Sequence, residues 1–294
     1  MNKKNNIAIL SHGLIGRSIS HTIDSFRSNV LKPLDELGEV DVFYHAWHVD
    51  KVTNEYSGEK DADIDSSIIK ELLPEAHGII EDQDEWDATI DWEKHRENNP
   101  FAIFTRVPSE RETMSTLKNH KRALMSQKKS YEFFEENKKK KYDLVIVARL
   151  DVIYPDKIRI PKVEEIQKYQ EEGKKAIWVP DFDHCGGIND RFALGNEDAI
   201  KMWSDRVEFS EKWTLNSNKG ESPEWLMKQF MDKNNYTIKY LKLVFQRVRA
   251  GGEVHKQDKF FLKNYSSYKL KTPLRKIHVL LYKIKIFIKD KILK

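Results

Sequence analysis

The sequence predicts an α/β fold, a mainly parallel central sheet flanked by helices, over residues 1–270, with a basic amphipathic helix over 271–294. Three observations carry this. Short apolar runs at 7–10, 40–44, 144–147 and 176–179 read as strands buried on both faces. Segments of helical apolar spacing separate them. Their alternation along the chain favours parallel pairing through crossover helices.

Each element has its own reason. Residues 7–10 make a first strand, and a turn carrying Ser11, His12, Gly13, Gly16, Arg17 and Ser18 follows. From Ile19, the apolar residues Ile23, Phe26, Val30, Leu34 and Leu37 recur at helical spacing, and Pro33 is expected to kink or end that helix. With the strand at 40–44 this completes a βαβ unit. Residues 46–63 are polar and read as loop, 66–73 as a short helix, and 78–80 as a strand. The acid- and tryptophan-rich stretch 81–97 has no clear period and reads as irregular surface. A helix is expected over 115–134, through Leu117, Ala123, Leu124 and Tyr131, and a solvated loop over 138–141. Next comes the central strand 144–147, then a helix over 161–169 with Pro161 in its first position, where a missing N–H costs little. A strand at 176–179, helices over 196–207 and 223–231, and one or two strands within 236–248 complete the reading.

Composition bounds the function. The chain has 294 residues, 39% hydrophobic and 33% charged, with 11% aromatic residues to build a core. A single cysteine, Cys185, rules out an internal disulfide and fits a reducing compartment. The start carries too short an apolar run for a signal peptide, and no stretch approaches the roughly 18 apolar residues of a membrane span. A cytoplasmic protein is expected. The formal charge of +4 is uneven: residues 271–294 hold eight Lys/Arg against Asp290 alone, and the first 270 residues carry 43 basic and 46 acidic groups. The main body therefore lacks the basic excess that nucleic-acid binding needs. The tail, with lysines among Leu, Ile and Phe, suits an anionic membrane surface or a terminal helix packed on the domain.

Ligands of open α/β sheets bind beyond the carboxyl ends of the strands. Three segments are expected there. Amides of the 11–18 turn can hold a phosphate, and Arg17 can add a fork of donors. Arg149 and Asp151 end the central strand in "YDLVIVARLDVIY"; Asp151 can ligate a hard cation, and Arg149 can pair with a diphosphate or orient Asp151. In "DHCGGINDRFALGNEDAIKMW", the Gly186–Gly187 pair permits unusual backbone or close approach, and Asp190 can serve as general base beside Arg191. Each segment also has a purely structural reading: a tight turn, an ion pair at a sheet edge, a turn cap.

Taken in order, four motifs over roughly residues 6–250 resemble bacterial and large-virus glycosyltransferases of GT-A-like fold: "SHGLIGRSISHTIDSFRSNVLKPL" with "VDVFYHAW", "LMSQKKSYEFF", "YDLVIVARLDVIY", and "GGINDRFALGNEDAIKMW" with the later "ESPEWLMKQFM". Arg149 stands where the first aspartate of that family's DxD metal motif is usual, which leaves Asp151 as the one motif carboxylate. The resemblance implies transfer of a sugar from a nucleotide-diphosphate donor to a hydroxyl of a glycan or lipid-linked glycan. It implies Asp190 as base with Glu224 in reserve, His12, Gly13, Arg17, Arg149, Asp151 and Arg191 on the donor, and Mn²⁺ or Mg²⁺ on Asp151. Two other readings stay open: a non-catalytic carbohydrate- or membrane-binding protein, and a phosphate-loop sulfotransferase or kinase. The second requires a loop lysine, and 11–18 has none.

Overall fold

The computed structural model describes residues 4–54, 58–97, 110–184, 187–216, 223–255 and 258. The expected tail helix over 271–294, the boundary at 270, Cys185 and Gly186 lie outside the described residues. In chain order the elements are β1 (Asn5–Gly13), α1 (Ile19–Phe26), α2 (Lys32–Asp35), β2 (Gly38–His48), β3 (Lys51–Asn54), β4 (Glu59–Asp63), α3 (Ile68–Leu72), β5 (His77–Asp82), α4 (Gln83–Asp87), α5 (Trp92–Glu97), α6 (Glu110–Asn137), β6 (Leu144–Ala148), β7 (Val152–Ile153), α7 (Val163–Glu171), β8 (Ala176–Pro180), β9 (Phe192–Gly195), α8 (Glu197–Ser204), α9 (Arg206–Asn216), α10 (Pro223–Lys233), β10 (Thr237–Leu241) and β11 (Gln246–Arg247).

Among the described residues, seven strands form the central sheet in the order β10-β8-β9-β6-β1-β2-β5. Pairing is parallel except at β9, which runs antiparallel to both β6 and β8. The apolar strand residues alternate between two cores. Ile7, Ile9, Val42, Leu144 and Ile146 pack on one face with Ile19, Ile23, Phe26 and Leu34 of α1 and α2. Ala8, Leu10, Phe43, Val145 and Val147 pack on the other with Phe134, Ile200, Trp203 and Met227 of α6, α8 and α10. The period of 2 in a strand puts neighbours on opposite faces, so both faces must be apolar and both must be covered.

The chain leaves β1 for β2 on one side, then returns through α6 to place β6 on β1's other side. The order reverses between β1 and β6. Their carboxyl ends flank the kind of crevice where open α/β sheets take ligands.

Several expectations are corrected. Residues 46–63 are not all loop: β2 runs on to His48, and β3 and β4 make an antiparallel hairpin. Residues 81–97 contain α4, capped by Asp82 accepting from the amides of Asp84 and Glu85, and α5. The helix expected over 196–207 is two, with Asn196 outside α8 as its N-cap, and α7 begins two residues after Pro161. Pro33 does not end its helix. A π-helical stretch, Arg27–Leu31, precedes it, and the carbonyl of Asn29, four residues before Pro33, accepts instead from the Ile158 amide at 2.8 Å. The widened turn thus accommodates the missing N–H. Leu37, counted on the helical face, lies beyond α2 and is 44% exposed.

Candidate active site

The three expected segments meet. In register, Ser11 follows Leu10, the partner of Val147, and its hydroxyl donates to the Ala148 carbonyl at 2.6 Å. Ala148 pairs Phe192, which sets Arg149 beside Arg191 at the mouth of the sheet. The reversed strand β9 therefore delivers its leading residues, Asp190 and Arg191, to the end where β1 and β6 finish.

The loop after β6 is held at every carbonyl. Arg149 O accepts from the Tyr154 hydroxyl at 3.1 Å, Leu150 O from the Thr22 hydroxyl of α1, and Asp151 O from the Val248 amide at 3.0 Å. Such a loop cannot relax when its side chains change partners, which is how a site holds charged groups in fixed geometry. Asp151 is 5% exposed and its carboxylate is already taken. Arg149 Nε donates to Oδ1 at 2.6 Å, a second guanidinium nitrogen of Arg149 donates to Oδ2, and Arg17 reaches Oδ2 at 3.4 Å. Burial pushes the Asp151 carboxyl up, but Arg149, Arg17 and Arg249 outweigh it and hold the group below the usual carboxylate range.

The second half of the site is built on β9 and α10. Arg191 bridges two carboxylates, Asp183 at 2.9 Å and Glu224 at 2.7 Å. Asp190 lies 3.5 Å from Arg206, which is 2% exposed and whose guanidinium lies over the Trp203 ring. Burial pushes the Asp190 carboxyl up; Arg206, Arg191, His120 and Arg149 more than offset that, and it ends lowered. Glu224 moves the other way. Burial raises it, Arg191 lowers it, Asp190 and Asp183 raise it again, and it is pushed up to about 7.

His12 sits between the halves. Burial lowers its ring to about 3, with Arg149 and Arg206 adding to the fall, so it is neutral at physiological pH. Among the described residues, its Nδ1 has no hydrogen-bond partner and is buried. Gly13, expected to offer its amide to a phosphate, donates that N–H to Ser126 Oγ of α6 at 2.7 Å. Ser126 Oγ is also 2.7 Å from His45 Nδ1, and His45 Nε2 lies 3.3 Å from Glu81. Gly13 has φ +105°, so the corner demands glycine. Gly187 is needed for a different closeness from the one expected: a Cβ there would meet the Glu224 carbonyl at 1.9 Å, so its approach is to the start of α10.

Sequence reasoning missed several participants. Arg249 lies beyond β11, the short strand paired with β7, and Arg247 is bound by Asp258 at 2.7 Å. The alternation "RVRAGG" was the available signal. Glu59 of β4, 3.7 Å from Arg17 Nε and accepting from the Ala250 amide at 3.0 Å, gave none, because it sits in a stretch read as loop.

A Mg²⁺ or Mn²⁺ ion takes six oxygens, of which the protein supplies at least one free carboxylate while waters and substrate phosphates complete the shell. Asp151 has both oxygens committed to guanidinium groups, and among the described residues no group of three or more His, Cys, Asp or Glu side chains could hold an ion. As arranged, the residues do not fit the cation expected on Asp151. Among the described residues, no helix is long and apolar enough to cross a membrane.

No protein-family model matches the chain, and no curated protein matches it. Among solved structures it is similar to apo mouse xyloside xylosyltransferase 1, with 9% identity and a TM-score of 0.34 over 81% of this chain and 85% of that one. It is also similar to apo glycosyltransferase GlyE of Streptococcus pneumoniae TIGR4, with 11% identity and a TM-score of 0.36, covering 81% of this chain and 45% of that one. A third is an active-site mutant of LgtC, with 10% identity and a TM-score of 0.38 over 79% of this chain and 72% of that one. Likeness at this level adds nothing to the chemistry, which rests on the residues themselves.

Proposed function

We propose that the protein is a glycosyltransferase of GT-A-like fold that moves a sugar from a nucleotide-diphosphate donor to a hydroxyl of a glycan. The observation that supports it is the meeting of Arg17, Arg149 and Asp151 with Asp190, Arg191 and Glu224 at the reversal point between β1 and β6. Guanidinium groups stand on one side and a carboxylate pair with divergent acidities on the other. Such a pair can divide binding and base roles. In the reaction the bond from the anomeric carbon to the diphosphate oxygen breaks, and its electron pair goes to the diphosphate. The acceptor oxygen bonds to the same carbon, and its proton passes to a carboxylate.

Two carboxylates compete for the base role. Asp190 is the more accessible, its side chain 15% exposed against 4% for Glu224. Glu224, with a carboxyl near 7, is the stronger base at neutral pH. Asp190 stays our first assignment and Glu224 the second; turnover in Asp190→Asn and Glu224→Gln decides between them. His12 and Arg191 flank the donor in this reading. The phosphate-loop alternative loses ground, because the Gly13 amide is already bonded to Ser126.

Thermal unfolding with a panel of nucleoside diphosphates and their sugars tests the function, followed by chromatography for donor hydrolysis and transfer. One nucleotide class should stabilise the protein, by about 2.7 kcal/mol at a hundredfold excess over Kd. Stabilisation without hydrolysis or transfer would favour the non-catalytic reading. Segment 271–294 is proposed to contact an anionic membrane surface that presents a lipid-linked acceptor. Cosedimentation with phosphatidylserine vesicles that is unchanged on removing 271–294 would eliminate that contact.

A further inference from the structure

The misfit between the site and a divalent cation has a constructive side. We propose that the donor diphosphate is held by the guanidinium groups of Arg17, Arg149 and Arg249, with Asp151 as their counter-ion, and that no divalent cation takes part. This rests on the glycosyltransferase reading and names what supports the leaving group within it.

Charge argues first. Arg149, Arg17 and Arg249 surround Asp151, and Glu59 lies beside Arg17 and Arg249, three cations against two carboxylates among these residues, with Asp151, Glu59 and Arg249 each at least nine-tenths buried. A dication would add to a cationic surplus; a diphosphate would neutralise it. Burial and the nearness of Arg17 and Arg247 lower the Arg249 guanidinium to about 10, so this cation is already strained by its neighbours.

Hydrogen bonding argues independently. Arg17 Nε and Arg249 Nε are buried and, among the described residues, donate to no acceptor. Charged donors left unsatisfied in the interior are costly, and folded chains rarely leave two in one place. They mark positions for acceptor oxygens that the described residues do not supply. Asp151 meanwhile grips Arg149 through a two-point fork, which fixes the plane of that guanidinium. Guanidinium forks match phosphate oxygens and keep their charge at any physiological pH. Charge that builds on the departing diphosphate then meets fixed cations, the task a bound metal performs in other sites. Asp151 becomes a positioning residue, and its partner Arg149 is the functional replacement for a carboxylate ligand.

Calorimetric titration of the full chain with UDP, GDP, CDP and ADP, in EDTA and in Mn²⁺ or Mg²⁺, tests this. The expected result is that one nucleotide binds in EDTA with an affinity within about threefold of that in metal. Arg17→Gln and Arg249→Gln should each weaken binding at least tenfold in both buffers, and Arg17→Lys by less. Circular dichroism and melting confirm that each variant is folded, and Arg17→Lys keeps the test alive if a glutamine variant is not. Binding that needs Mn²⁺ or Mg²⁺ and vanishes in EDTA overturns the proposal and leaves the glycosyltransferase reading standing. Binding untouched by the arginine substitutions overturns it too. Failure of every nucleotide to bind in either buffer overturns both.

Discussion

Asp151 and Glu224 are both carboxylates, 5% and 3% exposed, and each is paired with an arginine. Burial pushes both upward, yet they part company. Around Asp151 the further neighbours are cations, Arg17 and Arg249, and the group stays ionised far into acid. Around Glu224 the pull of Arg191 is opposed by Asp190 and Asp183, and the carboxyl titrates near 7. One ion pair does not decide the acidity of a buried carboxylate; the sign of the charges behind it does. On the proposed reading, the group held ionised orders the cations, and the group that titrates near neutrality is the second candidate, after Asp190, to take the acceptor's proton.

The contrast can be broken most sharply through catalysis. If Glu224 is the base, transfer should rise between pH 6 and 8 as the carboxylate ionises, and Glu224→Gln should lower turnover by about 10²–10⁴-fold. A profile flat across that range, with Asp190→Asn inactive and its donor binding intact, would return the role to Asp190. Near-normal turnover in Asp190→Asn would remove Asp190 instead.

Stability gives the next largest effect. Asp151→Ala leaves the buried Arg249 and the partly buried Arg149 and Arg17 without their shared counter-ion and should cost about 3 kcal/mol in urea unfolding. A loss under 1 kcal/mol would mean that the arginines swing out to water and that the cradle is not preorganised.

The pH dependence of folding separates the two carboxylates directly. The Glu224 group holds its proton more tightly in the folded chain, about 7 against an ordinary 4.5. Stability should therefore fall as pH rises from 4.5 to 7, by at most about 1.4 kcal/mol per unit, and Glu224→Gln should remove that slope. Asp151 has the opposite sign. Its contribution is complete above the ordinary value of 3.8 and is lost only as pH falls below it. Urea midpoints from pH 3 to 8 test both limbs.

The smallest effect lies at the corner that holds His12. Ser126→Ala removes the acceptor of the Gly13 amide and the partner of His45 Nδ1, and should cost about 1 kcal/mol. Unchanged stability with altered donor affinity would show that this corner serves binding more than folding.

The sequence alone determined the sheet and the ends that matter. The runs at 7–10 and 144–147 are apolar at every position, and such strands have to lie between two layers of helices. Ser11 to Ser18 and Arg149 with Asp151 were therefore legible as residues at strand ends, where functional groups of an α/β sheet collect; Asp190 and Arg191 were read only as a loop, because the short strand β9 that follows them was not expected. Only the tertiary structure decided what these groups do to one another. The Arg149 fork on Asp151 is local, but the charge gathered around it depends on Arg17 and Arg249, from parts of the chain up to 134 residues away, and on Glu59, which meets Arg17. Glu224 could not be told from Asp151 by local sequence, because acidity depends on burial and on charges gathered from β9 and α10. Strand patterns are short-range steric and hydrophobic facts carried by neighbours along the chain. Electrostatics is long-range and sums over neighbours in space, which exist only once the chain has folded.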